Sequence, residues 1–203
     1  PQFQDLLDTQ HKEMQGKFYK RELPKSCISY ASSEGIHRFS RALEKGTALV
    51  HFQLMSQFRT QDEPSFCGLG TLVMCLNAMN VDPGRAWKGV WRWYAEDMLD
   101  CCVRIEDVKK RGIDLEEFAC LAVCNGLNIP RIVRPPSFSS SSSPHPDATI
   151  DMFRQIVMRV CSQNKDTLVV SYSRKGLNQT GDGHYSPIGT CLCRYSFNIA
   201  IIM

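Results

Sequence analysis

At 203 residues the chain has room for one large domain with its own hydrophobic core, so disulfide staples are not required. Its 24 Lys and Arg against 21 Asp and Glu give a formal +3 with the charges interspersed, which excludes the basic stripe of a nucleic-acid binder. No apolar run is long enough to span a bilayer, and no charged start followed by an apolar stretch marks a secretory signal, so no membrane partner and a soluble, cytoplasmic protein are expected.

In chain order, residues 1–30 read as a polar lead-in, with Phe18 to Arg21 and Leu23-Pro24 forming an extended arm. Ile36, Phe39 and Leu43 recur at helical spacing and predict a helix from Ser33 to about Lys45, capped by Ser33 and stopped by Gly46. A second short helix is expected from Thr47 to about Phe58. The segment Gln61 to Gly68 follows. Pro64 blocks helical continuation, Ser65 and Phe66 make a tight entry, and Leu69, Leu72, Val73, Leu76 and Met79 carry a new helix that ends at Asn80 to Gly84.

Cys67 therefore falls at a helix mouth, where unpaired N–H groups and the helix dipole favour the thiolate, the form in which cysteine attacks. Gln61, shortly upstream, is a candidate oxyanion donor, and Gly68 would leave the thiol open to substrate. The competing reading is a buried core cysteine.

After the Asp82-Pro83-Gly84 turn, Trp87, Trp91, Trp93 and Tyr94 crowd one stretch that either lines a cleft or anchors a core, with the core favoured. Asp114 and Glu117 form a capping-box start, and Gly126 a stop. Cys120 and Cys124 share a face of that helix. They could clamp a soft metal, but Leu121 and Leu127 nearby favour a core position. Although the chain has ten cysteines, several on apolar helix faces point to a reducing compartment rather than a disulfide framework.

Ile129 to Val133 reads as a strand, and Pro135 to Pro146, with serines at 139 to 143, as a surface loop. A helix starts at Thr149 or Asp151 and runs through Val160. Thr167 to Tyr172 and His184 to Ile188 read as partner strands joined by a polar, glycine-rich connection. Helices first and strands later is the order of an α+β fold.

A thiol nucleophile needs a base. His11, His37, His51 and His145 sit in the lead-in, at two helix positions and in the serine-rich loop. His184 instead begins a strand after Gly181-Asp182-Gly183, where backbone can approach a ligand closely. The order Cys then His, helix then strand, matches the way cysteine hydrolases bring base to nucleophile.

Gln61…Cys67-Gly68, Asp82 to Arg85, Trp87 to Trp93, Met98 to Cys102 and Gln179 to Gly189 together resemble phytochelatin synthase over roughly Phe18 to Gly189. The resemblance implies a papain-like fold, with a helical subdomain bearing the nucleophile packed against an antiparallel sheet. It also implies a glutathione γ-glutamylcysteinyltransferase activity. Cys67 would attack the carbonyl between the cysteine and glycine of glutathione, release glycine and hold γ-Glu-Cys as a thioester for transfer to a second glutathione or a growing phytochelatin. His184 corresponds to the general base and acid, and Gln61 with the Cys67 N–H to the oxyanion donors. No tightly bound cofactor is implied. Cadmium, zinc or copper would enter as the glutathione thiolate complex, in a role of heavy-metal detoxification. Gly183 would lie against substrate, Arg85 and Arg92 are candidates for its carboxylates from charge alone, and Cys101 and Cys102 match a motif that could sense metal. Homodimerisation is left open.

On this reading residues 1–203 form a single catalytic domain, incomplete after about residue 189, with a Ser/Pro-rich surface loop at 135–147. The family's aspartate that orients the histidine would fall near Ile202, yet no aspartate follows Asp182. Asp182 is too close in sequence to reach the far ring nitrogen, which leaves Asn198 as stand-in. Two other outcomes fit: hydrolysis of glutathione or its conjugates to γ-Glu-Cys, and an impaired isoform that binds thiol–metal complexes.

Overall fold

A computed structural model of the chain describes residues 23–129, 132–134 and 149–192. The elements run α1 (Ser33–Glu44), α2 (Leu49–Met55), α3 (Cys67–Ala78), a 3-10 turn (Glu96–Met98), α4 (Ile105–Arg111), α5 (Leu115–Cys124), α6 (Ile150–Cys161), β1 (Val169–Ser173), a second 3-10 turn (Arg174–Leu177) and β2 (Gly183–Pro187). Helices and a small antiparallel sheet make the fold α+β. The serine-rich loop, the lead-in before Leu23 and part of the expected strand at Ile129 to Val133 lie outside the described residues.

α3 is the central element. Every residue from Gly68 to Ala78 is buried, so the helix is enclosed on all sides rather than amphipathic. Leu69, Leu72, Val73 and Leu76 pack with Leu99, Val108, Phe118, Leu121 and Tyr185. Met74, Cys75 and Ala78 pack with Val50 and Leu54 of α2 and Val160 of α6.

Local chemistry sets the ends of the helices. Ser32, one residue before the expected cap, starts α1 by accepting from the Gly35 N–H at 3.1 Å, and Gly46 stops it in the left-handed region at φ 66°. Asp114 and Glu117 make both bonds of the expected capping box on α5. Thr149 caps α6 through the Met152 N–H at 3.1 Å.

β1 and β2 pair antiparallel with Tyr172 opposite His184 and Ser171 opposite Tyr185. β2 is fastened to α3 by Thr71, whose hydroxyl donates to the Tyr185 carbonyl at 3.2 Å. On the same strand the Tyr185 ring stacks on Phe118 with centroids 5.0 Å apart and planes 4° from parallel. Gly68 is what permits this approach. A Cβ there would lie 2.6 Å from Ile113 Cδ1 and 3.4 Å from the Tyr185 ring. The glycine therefore serves buried packing, which corrects the expectation that it opens Cys67 to substrate.

The tryptophans also depart from expectation. Trp87, Trp91 and Trp93 are 38%, 63% and 41% exposed, and of that aromatic run only Tyr94 enters the core. No helix among the described residues is long and apolar enough to cross a membrane.

Candidate active site

Phe66 precedes α3 and supplies no side-chain cap, so the N–H groups of Cys67, Gly68 and Leu69 are without a protein acceptor among the described residues. The turn before it is closed by the Phe66 N–H donating to the Glu63 carbonyl at 3.0 Å. Cys67 is a free, half-buried thiol. Cys75 and Cys161 contrast with it: burial pushes each thiol up to about 11, which keeps both protonated and inert.

Gln61 folds over this entry turn and lies against the helix at Gly70, where an added Cβ would come 3.5 Å from the Gln61 Cβ. Its Nε2 donates to the carbonyls of Glu63 at 2.8 Å and Pro64 at 2.9 Å. Both amide hydrogens are thus held inside the loop. An oxyanion would have to take one of them over, and the exposed Pro64 carbonyl is the partner that water can replace.

Glu96 fastens the same loop and gave no sign of itself beyond being one acid in the run Tyr94 to Leu99. It is 1% exposed; its Oε2 accepts from the Asp62 N–H at 2.9 Å and lies 3.6 Å from Arg59 Nη2, while Oε1 has no partner among the described residues. Burial raises its carboxyl to about 7 against the opposing pull of the Asp62 N–H and Arg59.

His184 is the second residue of β2, just before the buried Tyr185. Its half-buried ring meets Tyr172 edge-on at 5.6 Å, the cross-strand pair set by the register. Burial, and then the charge of Arg174, lower its pKa below the ordinary 6.5, so the ring is neutral near pH 7. Cys67 packs against the core cluster that contains Tyr185, the residue after His184 on β2.

Among the described residues no side chain hydrogen-bonds the His184 ring. The Asp182 carboxylate turns away from it, to Lys175 Nζ at 3.0 Å and the Ser173 hydroxyl at 3.3 Å. Asn198 lies outside the described residues. Gly183 is exposed, and a Cβ there would meet nothing within 4 Å, so its backbone fronts open space.

The remaining candidates have internal partners. Arg92 donates from Nε and Nη2 to Asp82 at 3.1 and 2.8 Å, and Arg85 donates to the Met98 carbonyl at 2.5 Å beside Asp100. Both guanidinium groups brace the tryptophan-bearing segment. Cys101 is bonded to Cys124 and Cys102 to Cys120. This corrects the core reading of Cys120 and Cys124, which are exposed, and goes against the expectation of a reducing compartment in place of a disulfide framework.

A free cysteine at an uncapped helix start, beside a strand that presents a neutral histidine, is the arrangement that thiol nucleophilic chemistry requires. The family profile of phytochelatin synthase matches residues 18–194, and the chain belongs to that family. The match runs past Gly189, further than the motifs reach. The chain is similar to the glutathione gamma-glutamylcysteinyltransferase of Schizosaccharomyces pombe, at 48% identity over 178 residues, 87% of this chain and 40% of the relative. It is also similar to glutathione gamma-glutamylcysteinyltransferase 3 of Lotus japonicus, at 46% over 172 residues, and to glutathione gamma-glutamylcysteinyltransferase 1 of Arabidopsis thaliana, at 44% over 172 residues. These two alignments each cover 84% of this chain and 34% and 33% of the relatives. The chain thus spans well under half the length of the curated relatives it matches.

Proposed function

We propose that this chain carries the acyl-transfer site of a glutathione γ-glutamylcysteinyltransferase, in a papain-like arrangement, and works in the cytoplasm in heavy-metal detoxification. The observation that carries this reading is Cys67 at the uncapped start of α3, fastened through Thr71 and Tyr185 to the strand of His184. His184, neutral near pH 7, takes the Cys67 proton. The thiolate adds to the carbonyl between cysteine and glycine of glutathione, and the Cys67 N–H with the Gln61 amide receives the oxyanion. His184 then returns the proton to the leaving glycine amine, leaving γ-Glu-Cys as a thioester on Cys67. A second glutathione or a phytochelatin attacks this thioester through its amine. The metal is part of the substrate, carried as the thiolate complex of cadmium, zinc or copper.

A second reading, hydrolysis to γ-Glu-Cys, draws on the His184 ring, which has no orienting hydrogen bond among the described residues. An ill-oriented base slows the reaction by orders of magnitude and gives water more time to compete for the thioester. Incubating the protein with glutathione and cadmium, beside Cys67→Ala, and following glycine and peptide oligomers separates the outcomes. Glycine with oligomers from the wild type alone supports transfer, and glycine without oligomers supports hydrolysis. No glycine from either protein contradicts both and leaves an impaired thiol–metal binder.

A further inference from the structure

We infer that Tyr172 is a positioning residue for His184, its ring being the wall against which the imidazole is set toward Cys67. The inference deepens the proposed acyl transfer and rests on His184 being its base. The torsion that turns an imidazole about its Cβ–Cγ bond is broad and two-fold, so a ring without a hydrogen bond takes its orientation from what it packs against. No described side chain hydrogen-bonds the His184 ring, and Asp182, the carboxylate nearest to it in sequence, is turned to Lys175 and Ser173. Tyr172 is the ring it meets. The centroids are 5.6 Å apart with planes at 78°, an edge-to-face arrangement of the kind aromatic pairs prefer.

The backbone fixes this pairing. Tyr172 stands directly opposite His184 in the β1–β2 register, and directly opposed residues project from the same face of a sheet. Beyond the pair, the connection between the strands is closed on itself: the Arg174 N–H donates to the Asp182 carbonyl at 2.6 Å, Lys175 Nζ donates to Asp182 Oδ2 at 3.0 Å, and the Ser173 hydroxyl donates to Asp182 Oδ1 at 3.3 Å. On the opposite face of β2, Tyr185 is held by its stack on Phe118, and its carbonyl by the Thr71 hydroxyl. A slip of one residue would expel Tyr185 from the core, so the register that sets Tyr172 on His184 is specified by packing elsewhere. Both rings are half-buried, which puts the contact at the margin of the core rather than inside it.

The contact needs the ring of Tyr172 and makes no use of its hydroxyl. Phenylalanine should therefore replace it, and leucine, apolar but without a ring, should not. An edge-to-face pair favours one orientation of the partner ring by roughly 2–10-fold, which bounds the effect on any step that requires the imidazole to be aimed at the thiol.

The test compares the full chain with Tyr172→Phe and Tyr172→Leu in two assays. Glycine release from glutathione with cadmium gives kcat and KM. Alkylation of Cys67 by iodoacetamide, located by peptide mass spectrometry and timed at pH 7 and pH 10, needs no turnover. Leucine is expected to lower kcat and the alkylation rate at pH 7 by roughly 2–10-fold with KM little changed, while phenylalanine tracks the wild type in both. The leucine deficit in alkylation should close at pH 10, where the thiol ionises without a base. A leucine variant that matches the wild type at pH 7, a phenylalanine variant as slow as leucine, or a deficit that persists at pH 10 overturns the inference, the last of these marking a merely structural role. A wild type that releases no glycine refutes the acyl transfer instead, and the alkylation rates then decide the positioning by themselves.

Discussion

In the proposed mechanism His184 takes the Cys67 proton, which requires a neutral ring, so the rate should fall as pH drops through the histidine's pKa. Burial and Arg174 hold that pKa below 6.5. Replacing Arg174 by Gln removes one of the two causes, and the acid limb of the pH–rate profile for glycine release should move to higher pH by a fraction of a unit, as expected for loss of one partly screened charge. An unmoved limb would dissociate Arg174 from the base. Glu96 acts on stability instead. Its carboxyl titrates near 7 when folded against 4.5 unfolded, so its contribution is complete below pH 4.5 and is lost as pH rises through 7, by at most about 3 kcal/mol. Glu96→Gln still accepts the Asp62 N–H but cannot ionise. Urea unfolding of the variant should lose the part of the pH dependence between 4.5 and 7 that the wild type shows, and parallel curves would contradict the assignment.

At the level of elements, α3 depends on an absence. Gly68→Ala would favour the helix by about 1 kcal/mol, but its Cβ would collide with Ile113, an overpacking cost of about 1–3 kcal/mol. The net expectation is a lower melting temperature with the fold intact, and a raised one would refute the close packing. Asp114→Ala removes the cap of α5 and should cost about 1 kcal/mol in denaturant unfolding. These two cases show where the sequence is legible. The Asp114–Glu117 box spans three residues and is set by local geometry, so it can be read directly. The clash at Gly68 depends on Ile113, 45 positions away, and no local pattern announces it. α4 was missed because Ile105 and Val108 alone do not make a period, and Glu96 because its partner Asp62 lies across the fold. The helix start at Cys67, the strand at His184 and the α+β order were legible because helix punctuation and strand alternation are short-range signals. The disulfides were not, since pairing needs three-dimensional proximity.

For the whole molecule, one buried helix organises two core clusters, and Cys67, the proposed nucleophile, occupies its free end. The rest of the fold sets what surrounds that end: α5 and Ile113 pack one side, the β1–β2 pair brings His184, and the loop braced by Glu96 brings Gln61. The tryptophans stand exposed on a segment held by Asp82–Arg92 and Arg85, outside this core. The central claim is that Cys67 carries the γ-Glu-Cys acyl group. Acid-quenching the protein during turnover with glutathione and cadmium, then mapping peptides by mass spectrometry, tests it directly. The account predicts a γ-Glu-Cys adduct on the peptide containing Cys67 and none in Cys67→Ala; an adduct on another cysteine, or glycine release undiminished in the variant, would contradict it.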